Sequence, residues 1–80
     1  MSLNLNGWFA AKPKGLGPTG GTKLYNASQV ASVGYENGDK ATIIMSNGEK
    51  LKVNMHAENT VDKLNEMRNG GEFHKFMAVA

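Results

Sequence analysis

Cysteine is absent from this chain of 80 residues, which excludes disulfides and the Cys-based spacings of structural zinc sites. No stretch approaches the roughly 18 apolar residues of a membrane span. Met1-Ser2-Leu3-Asn4-Leu5 lacks the positive start and the apolar run of a signal peptide. These absences lead us to expect a soluble, cytoplasmic protein with no membrane insertion. Acidic residues are missing before Glu36, so Lys12, Lys14 and Lys23 give residues 1–35 a charge of +3, against six basic and seven acidic side chains over residues 36–80. The formal net charge of +2 is mild. Its surplus sits in the N-terminal segment, either as a solvated loop or as a basic arm for phosphate or an acidic partner.

This length makes residues 1–80 a single domain. A chain so short buries only about 60 to 65% of its unfolded surface, so its core is thin. With no covalent staple, a second subunit is a natural source of missing apolar contacts, and a homo-oligomer is expected, a dimer ahead of other states.

What the chain does have is Asn-Gly, four times: Asn6-Gly7, Asn37-Gly38, Asn47-Gly48 and Asn69-Gly70. Both residues tolerate φ > 0, which a two-residue type I′ hairpin turn requires at both central positions. The middle two lie between strand-like segments. Val30–Glu36, Ala41–Met45 and Leu51–Met55 therefore read as a three-strand meander. Ala41, Ile43 and Met45 share one face, and Leu51, Val53 and Met55 alternate with Lys50, Lys52 and Asn54, as in a sheet covered on one side. Leu3 and Leu5 alternate with polar neighbours before Asn6-Gly7 turns the chain into Trp8–Ala11. Residues 12–22, with two prolines and four glycines, read as a Gly/Pro-rich loop within the domain.

The period then changes. Val61, Leu64 and Met67, with Ala57, form an apolar stripe on an otherwise polar helix over about residues 58–68. His56 or Asn59 would cap its start, Arg68 suits its last turn, and Asn69-Gly70-Gly71 would end it. Leu64 is expected to be its most buried residue. Phe73, Phe76, Met77 and Val79 place apolar groups on both faces of a last strand. That strand is expected to be central to the sheet or to form an interface with another chain. The fold class expected is α+β: a small curved antiparallel sheet, or partly open barrel, of four to six strands with one short helix.

Chemistry-bearing motifs are few. Gly15-Leu16-Gly17-Pro18-Thr19-Gly20 matches GxGxxG by letter, but Pro18 removes an N–H and strand-like residues follow where a helix N-terminus is needed. Gly-Gly-Thr-Lys is not a Walker sequence. His56 and His74 have no His or Cys at ligand spacing, and no serine has a nucleophile-elbow context. We therefore expect no catalytic residues, metal or cofactor, and no enzyme activity. Trp8 and Tyr25 flank a segment carrying Lys12, Lys14 and Lys23, and Lys50 and Lys52 lie on the wet face of a strand. Aromatic rings interleaved with lysines suit weak nucleic-acid binding by stacking and phosphate contact. The alternative is that Trp8 and Phe9 are core.

Leu24-Tyr25-Asn26-Ala27-Ser28-Gln29-Val30-Ala31-Ser32-Val33, the Thr42–Val53 hairpin around Asn47-Gly48, and Val61-Asp62-Lys63-Leu64 together resemble the small flagellar FlbD-type family over about residues 24–67. The strand, hairpin and helix layout is also similar to LytTR-type DNA-binding domains, with Phe73-His74-Lys75-Phe76 as the last element. The FlbD-type chain lacks the Gly-rich N-terminal segment. The LytTR-type final strand carries His-Arg-Ser where Met77-Ala78-Val79 stands. The first function expected is a non-enzymatic interaction module for an unknown protein partner, acting through a sheet face or edge. The second is a nucleic-acid-binding accessory or regulatory protein.

Overall fold

A computed structural model describes residues 4–13, 21–36 and 40–78. The fold is the expected α+β class. Among the described residues, strands β1 (Trp8–Ala11), β2 (Lys23–Asn26), β3 (Val30–Glu36), β4 (Lys40–Met45), β5 (Lys50–Val53) and β6 (His74–Lys75) accompany one helix, α1 (Ala57–Arg68). A single 3-10 turn, Ala27–Gln29, joins β2 to β3. The strands divide into two open sheets, ordered β2-β1-β6 and β3-β4-β5. All pairings within them are antiparallel except β1 with β6, which is parallel.

The meander follows its side-chain pattern. Ala41, Ile43 and Met45 on β4, and Leu51 and Val53 on β5, are buried, while Lys40, Lys50 and Lys52 point to water. Ile43 pairs with Val33 on one side and Leu51 on the other. These β-branched and aliphatic residues suit a pleated, half-buried surface. The Asn47-Gly48 turn differs from a two-residue type I′ loop. Gly48 N donates to Met45 O, Met45 N donates to Glu49 O, and Gly48 takes φ +90°. Ser46 and Asn47 are thus the centre of a β-turn, followed by a left-handed glycine, as in three-residue hairpin loops with a G1 bulge. Asn47 contributes by its side chain, whose Oδ1 accepts from Glu49 N at 2.9 Å. Asn37-Gly38 lies outside the described residues.

Helix α1 starts at His56 without a side-chain cap. It ends in a Schellman motif: Gly71 N donates to Glu66 O, Gly70 N donates to Met67 O, and Gly70 takes φ +87°. Gly71 is required for another reason, because a Cβ there would sit 2.6 Å from Glu66 O. The buried stripe of α1 is Thr60, Leu64 and Met67, with Ala57 packed beside it, and Val61 is 40% exposed. Thr60 replaces Val61 because its hydroxyl donates to His56 O within the helix, so burying it leaves nothing unsatisfied. Leu64 is buried, but Thr60 and Met67 are more so.

One core serves both sheets. Phe9, Tyr25 and Phe76 meet Ile43, Leu51, Val53, Leu64 and Met67 in a single cluster. Phe9 stacks on Tyr25 with centroids 5.5 Å apart and meets Phe76 edge-on at 5.4 Å, geometries that suit the ring quadrupole. The last strand is neither long nor central: it has two residues, at the edge of its sheet. The chain then crosses to the other sheet, where Asn54 N donates to Met77 O and Val53 bridges Ala78. Its apolar residues follow from that crossing, since Phe76 turns into the core while Met77 stays 67% exposed.

Candidate functional site

The residues singled out by sequence for nucleic acid differ in their surroundings: Trp8, Lys12, Lys23 and Tyr25 lie on or next to the paired strands β1 and β2, and Lys50 and Lys52 lie on β5. Tyr25 is buried on Phe9, and its hydroxyl donates to the Glu49 carboxylate at the β4–β5 turn. Burial pushes the Tyr25 phenol above its usual range, and Glu49 adds to the effect as acceptor and as a negative charge. The Tyr25 hydrogen bond in turn holds the Glu49 carboxyl below its ordinary value, with further help from Lys23. Lys23 Nζ lies 3.7 Å from Glu49 and 5.8 Å from the Tyr25 ring centroid. Tyr25 and Lys23 therefore form a tie between the sheets. Trp8 and Lys12 are half-buried, and Lys14 lies outside the described residues. Lys50 and Lys52 are exposed, opposite Ile44 and Thr42, and share the outer face of their sheet with Lys40.

The residues singled out as an interface differ in burial. Phe76 belongs to the core of its own chain, Phe73 and Met77 are exposed, and Val79 lies outside the described residues.

The structure brings together a surface that sequence reasoning missed. β3 is an edge strand, and among the described residues no strand pairs with its outer side. Ala31, Ser32 and Tyr35 are exposed, and Val30, Val33 and Gly34 are half-buried. Beside it lies a groove of about 200 Å3 lined by Val30–Val33 and by Val61, Leu64, Asn65 and Arg68 of α1. A second depression, about 440 Å3, is lined by Tyr35 and by residues 56–59, from His56 to Asn59. Helix α1 thus runs antiparallel to β3, its start by Tyr35 and its end by Val30.

The other outer strands each carry lysine: Lys23 on β2, Lys75 on β6, and Lys50 and Lys52 on β5. Lysine on an edge discourages pairing with another chain. β3 has neither lysine nor proline, and its one irregularity is a register shift between Val30 and Ser32. That contrast was the available sequence signal.

Among the described residues, no group of three or more His, Asp or Glu side chains is placed to hold a metal ion. No helix among them is long and apolar enough to cross a membrane. The chain matches no protein-family model, no curated protein and no solved structure. The likenesses to FlbD-type and LytTR-type chains rest on the residues quoted for them alone.

Proposed function

We propose that this chain is a small non-enzymatic interaction module that docks extended segments at the outer edge of β3 and works as a homo-oligomer. The observation that carries this reading is the lysine-free edge of β3 with a groove of mixed polar and apolar lining alongside. In strand addition, the free N–H and C=O groups of an edge supply affinity, and adjacent pockets select alternate side chains. The helix beside β3 provides such a wall, with Val61 and Leu64 as its apolar part.

Selection of a displayed peptide library against the chain tests this. Binders are expected to be lost when Tyr35→Lys and Val61→Lys are combined, and to shift backbone amides of β3 and α1 in NMR spectra. Binders that shift only β5 or β6 amides, or a chain that takes neither peptides nor a second copy at β3, would remove the reading.

A second reading, weak nucleic-acid binding, draws support from the alignment of Lys40, Lys50 and Lys52 on one sheet face. Three phosphate contacts would give a log–log salt slope of roughly −2 to −3. Replacing the three lysines with Ser should flatten it for all sequences alike. No binding to single- or double-stranded DNA or RNA at about 50 mM salt would remove this reading.

A further inference from the structure

We infer that the occupant of the β3 edge is a second copy of this chain, paired antiparallel through β3 about a two-fold axis near Val33. This rests on the interaction reading above and adds the identity of the partner. Helix α1 presents Glu58, Val61, Asn65 and Arg68 as an exposed row at helical spacing. Val61, Asn65 and Arg68 line the groove along β3, and Glu58 lines the depression by Tyr35. The row therefore has an acidic end, an apolar and amide middle, and a basic end.

An antiparallel strand pair has a two-fold axis perpendicular to its sheet. That operation keeps both helices on the same side of a continuous six-stranded sheet and sets them antiparallel to each other. The interface is isologous, so each contact between residue i and residue j occurs twice. Under that operation the acidic end of one row meets the basic end of the other. Glu58 faces Arg68 of the second copy, and Arg68 faces its Glu58, with Val61 and Asn65 opposed between them. The lengths agree: Glu58 to Arg68 spans about 15 Å along a helix, and Val30 to Tyr35 about 17 Å along a strand. A parallel pair needs a two-fold along the strands, which would put the helices on opposite faces of the sheet and leave the two charged rows apart, so the complementarity of the rows is available only to the antiparallel one. Tyr35, 66% exposed in the single chain, would gain cover from the second copy.

Sedimentation of the full chain from micromolar to submillimolar concentration, with charge-reversal variants, tests the inference. The parent is expected to dimerise. Glu58→Lys and Arg68→Glu should each weaken the dimer about ten-fold, because two symmetry-related contacts change sign together. The double variant should regain most of that loss, since the complementarity is restored with reversed polarity. Circular dichroism of each variant checks that α1 is intact. A dimer indifferent to both reversals, or a double variant as weak as the singles with α1 intact, would overturn the pairing. A parent that stays monomeric yet binds displayed peptides at β3 would overturn the self-pairing and the homo-oligomer, and leave the docking of extended segments at β3 in place. A parent that does neither would overturn both.

Discussion

Sheet β3-β4-β5 joins consecutive strands through short connections, whereas sheet β2-β1-β6 gathers segments from the two ends of the described chain. The first sheet pairs β3 with β4 over most of their length, with Glu36 opposite Lys40. The second pairs Phe9 with His74 and Ala10 with Lys75, and its parallel ladder goes no further. Closing so long a loop costs more chain entropy than closing a hairpin, and two ladder positions return little of it. What offsets the cost is side-chain burial: the stack of Phe9 on Tyr25 and the edge contact with Phe76 lie in the core common to both sheets. The local sheet is thus specified by alternation and turns, and the distant one by aromatic packing.

The largest expected effect follows from that difference. Phe9→Ala empties the centre of the aromatic group and should cost about 3 to 5 kcal/mol, with β2 and β6 losing amide protection as the domain loosens. Ile43→Ala, at an equally buried position of the local sheet, should cost about 2 to 5 kcal/mol through its cavity alone. Denaturant melts of both, with hydrogen exchange read strand by strand, measure the contrast. If Phe9→Ala were the milder change, and β6 kept its protection, aromatic packing would not be what holds the distant sheet.

Two glycines separate the sheets at a finer scale. Gly71 O accepts from Gly7 N at 2.9 Å, so the end of α1 positions the entry to β1. Gly71→Ala drives a Cβ against Glu66 O and should cost about 1 to 3 kcal/mol. Gly48→Val in the local hairpin meets no close atom, so left-handed strain is its whole cost, about 1 to 2 kcal/mol. Thermal melts showing Gly71→Ala as stable as the parent would mean that the helix end can move without disturbing β1.

The same contrast explains what could be read in the amino-acid sequence. The faces of β4 and β5 follow from alternation, and α1 follows from its period, its acidic start and the Asn-Gly-Gly at its end. The parallel β1–β6 pair carries no local signal, because nothing near His74 points to Phe9. Val61 is the more apolar choice for the buried stripe, and only the Thr60 hydroxyl bond to His56 O reveals why the helix is rotated. Within the aromatic–lysine set, neither the stacking of Tyr25 on Phe9 nor the pairing of Lys23 with Glu49 carries a local signal, because both partners are distant in sequence. The β3 edge carries no motif at all; its signal is a comparison among strands, the absence of lysine from one of four outer edges.

The tie between the sheets gives a smaller effect. Tyr25→Phe keeps the ring stack but removes the donor to Glu49, at a cost of about 1 kcal/mol, since Glu49 stays partly in water. The Glu49 carboxyl is held below its ordinary value in the folded chain. Its contribution is therefore present above about pH 4.3, the unfolded value, and is lost as pH falls through the lower folded value. Tyr25→Phe should reduce that acid loss. An acid limb identical in parent and variant would show that the tie does not couple the sheets energetically.

The smallest effect belongs to His74, at the short parallel pair. Its ring meets Phe76 edge-on at 4.7 Å, and its buried Nε2 has no hydrogen-bond partner among the described residues. Burial, with a contribution from Lys63 that Glu66 partly opposes, lowers its affinity for a proton in the folded chain. The unfolded chain then binds the proton more readily, so stability is complete above about pH 6.5, the unfolded value, and falls as pH drops toward the lower folded value. This limb lies above that of Glu49, so melting temperatures between pH 7.5 and 5.5 isolate the histidine, with its ordinary value of about 6.5 inside that window. His74→Gln should flatten the dependence there while leaving the acid limb below about pH 4.3 in place. A parent whose stability rises as pH falls through this window would mean that His74 gains a partner on protonation. The short β1–β6 pair would then be held by charge as well as by aromatic packing.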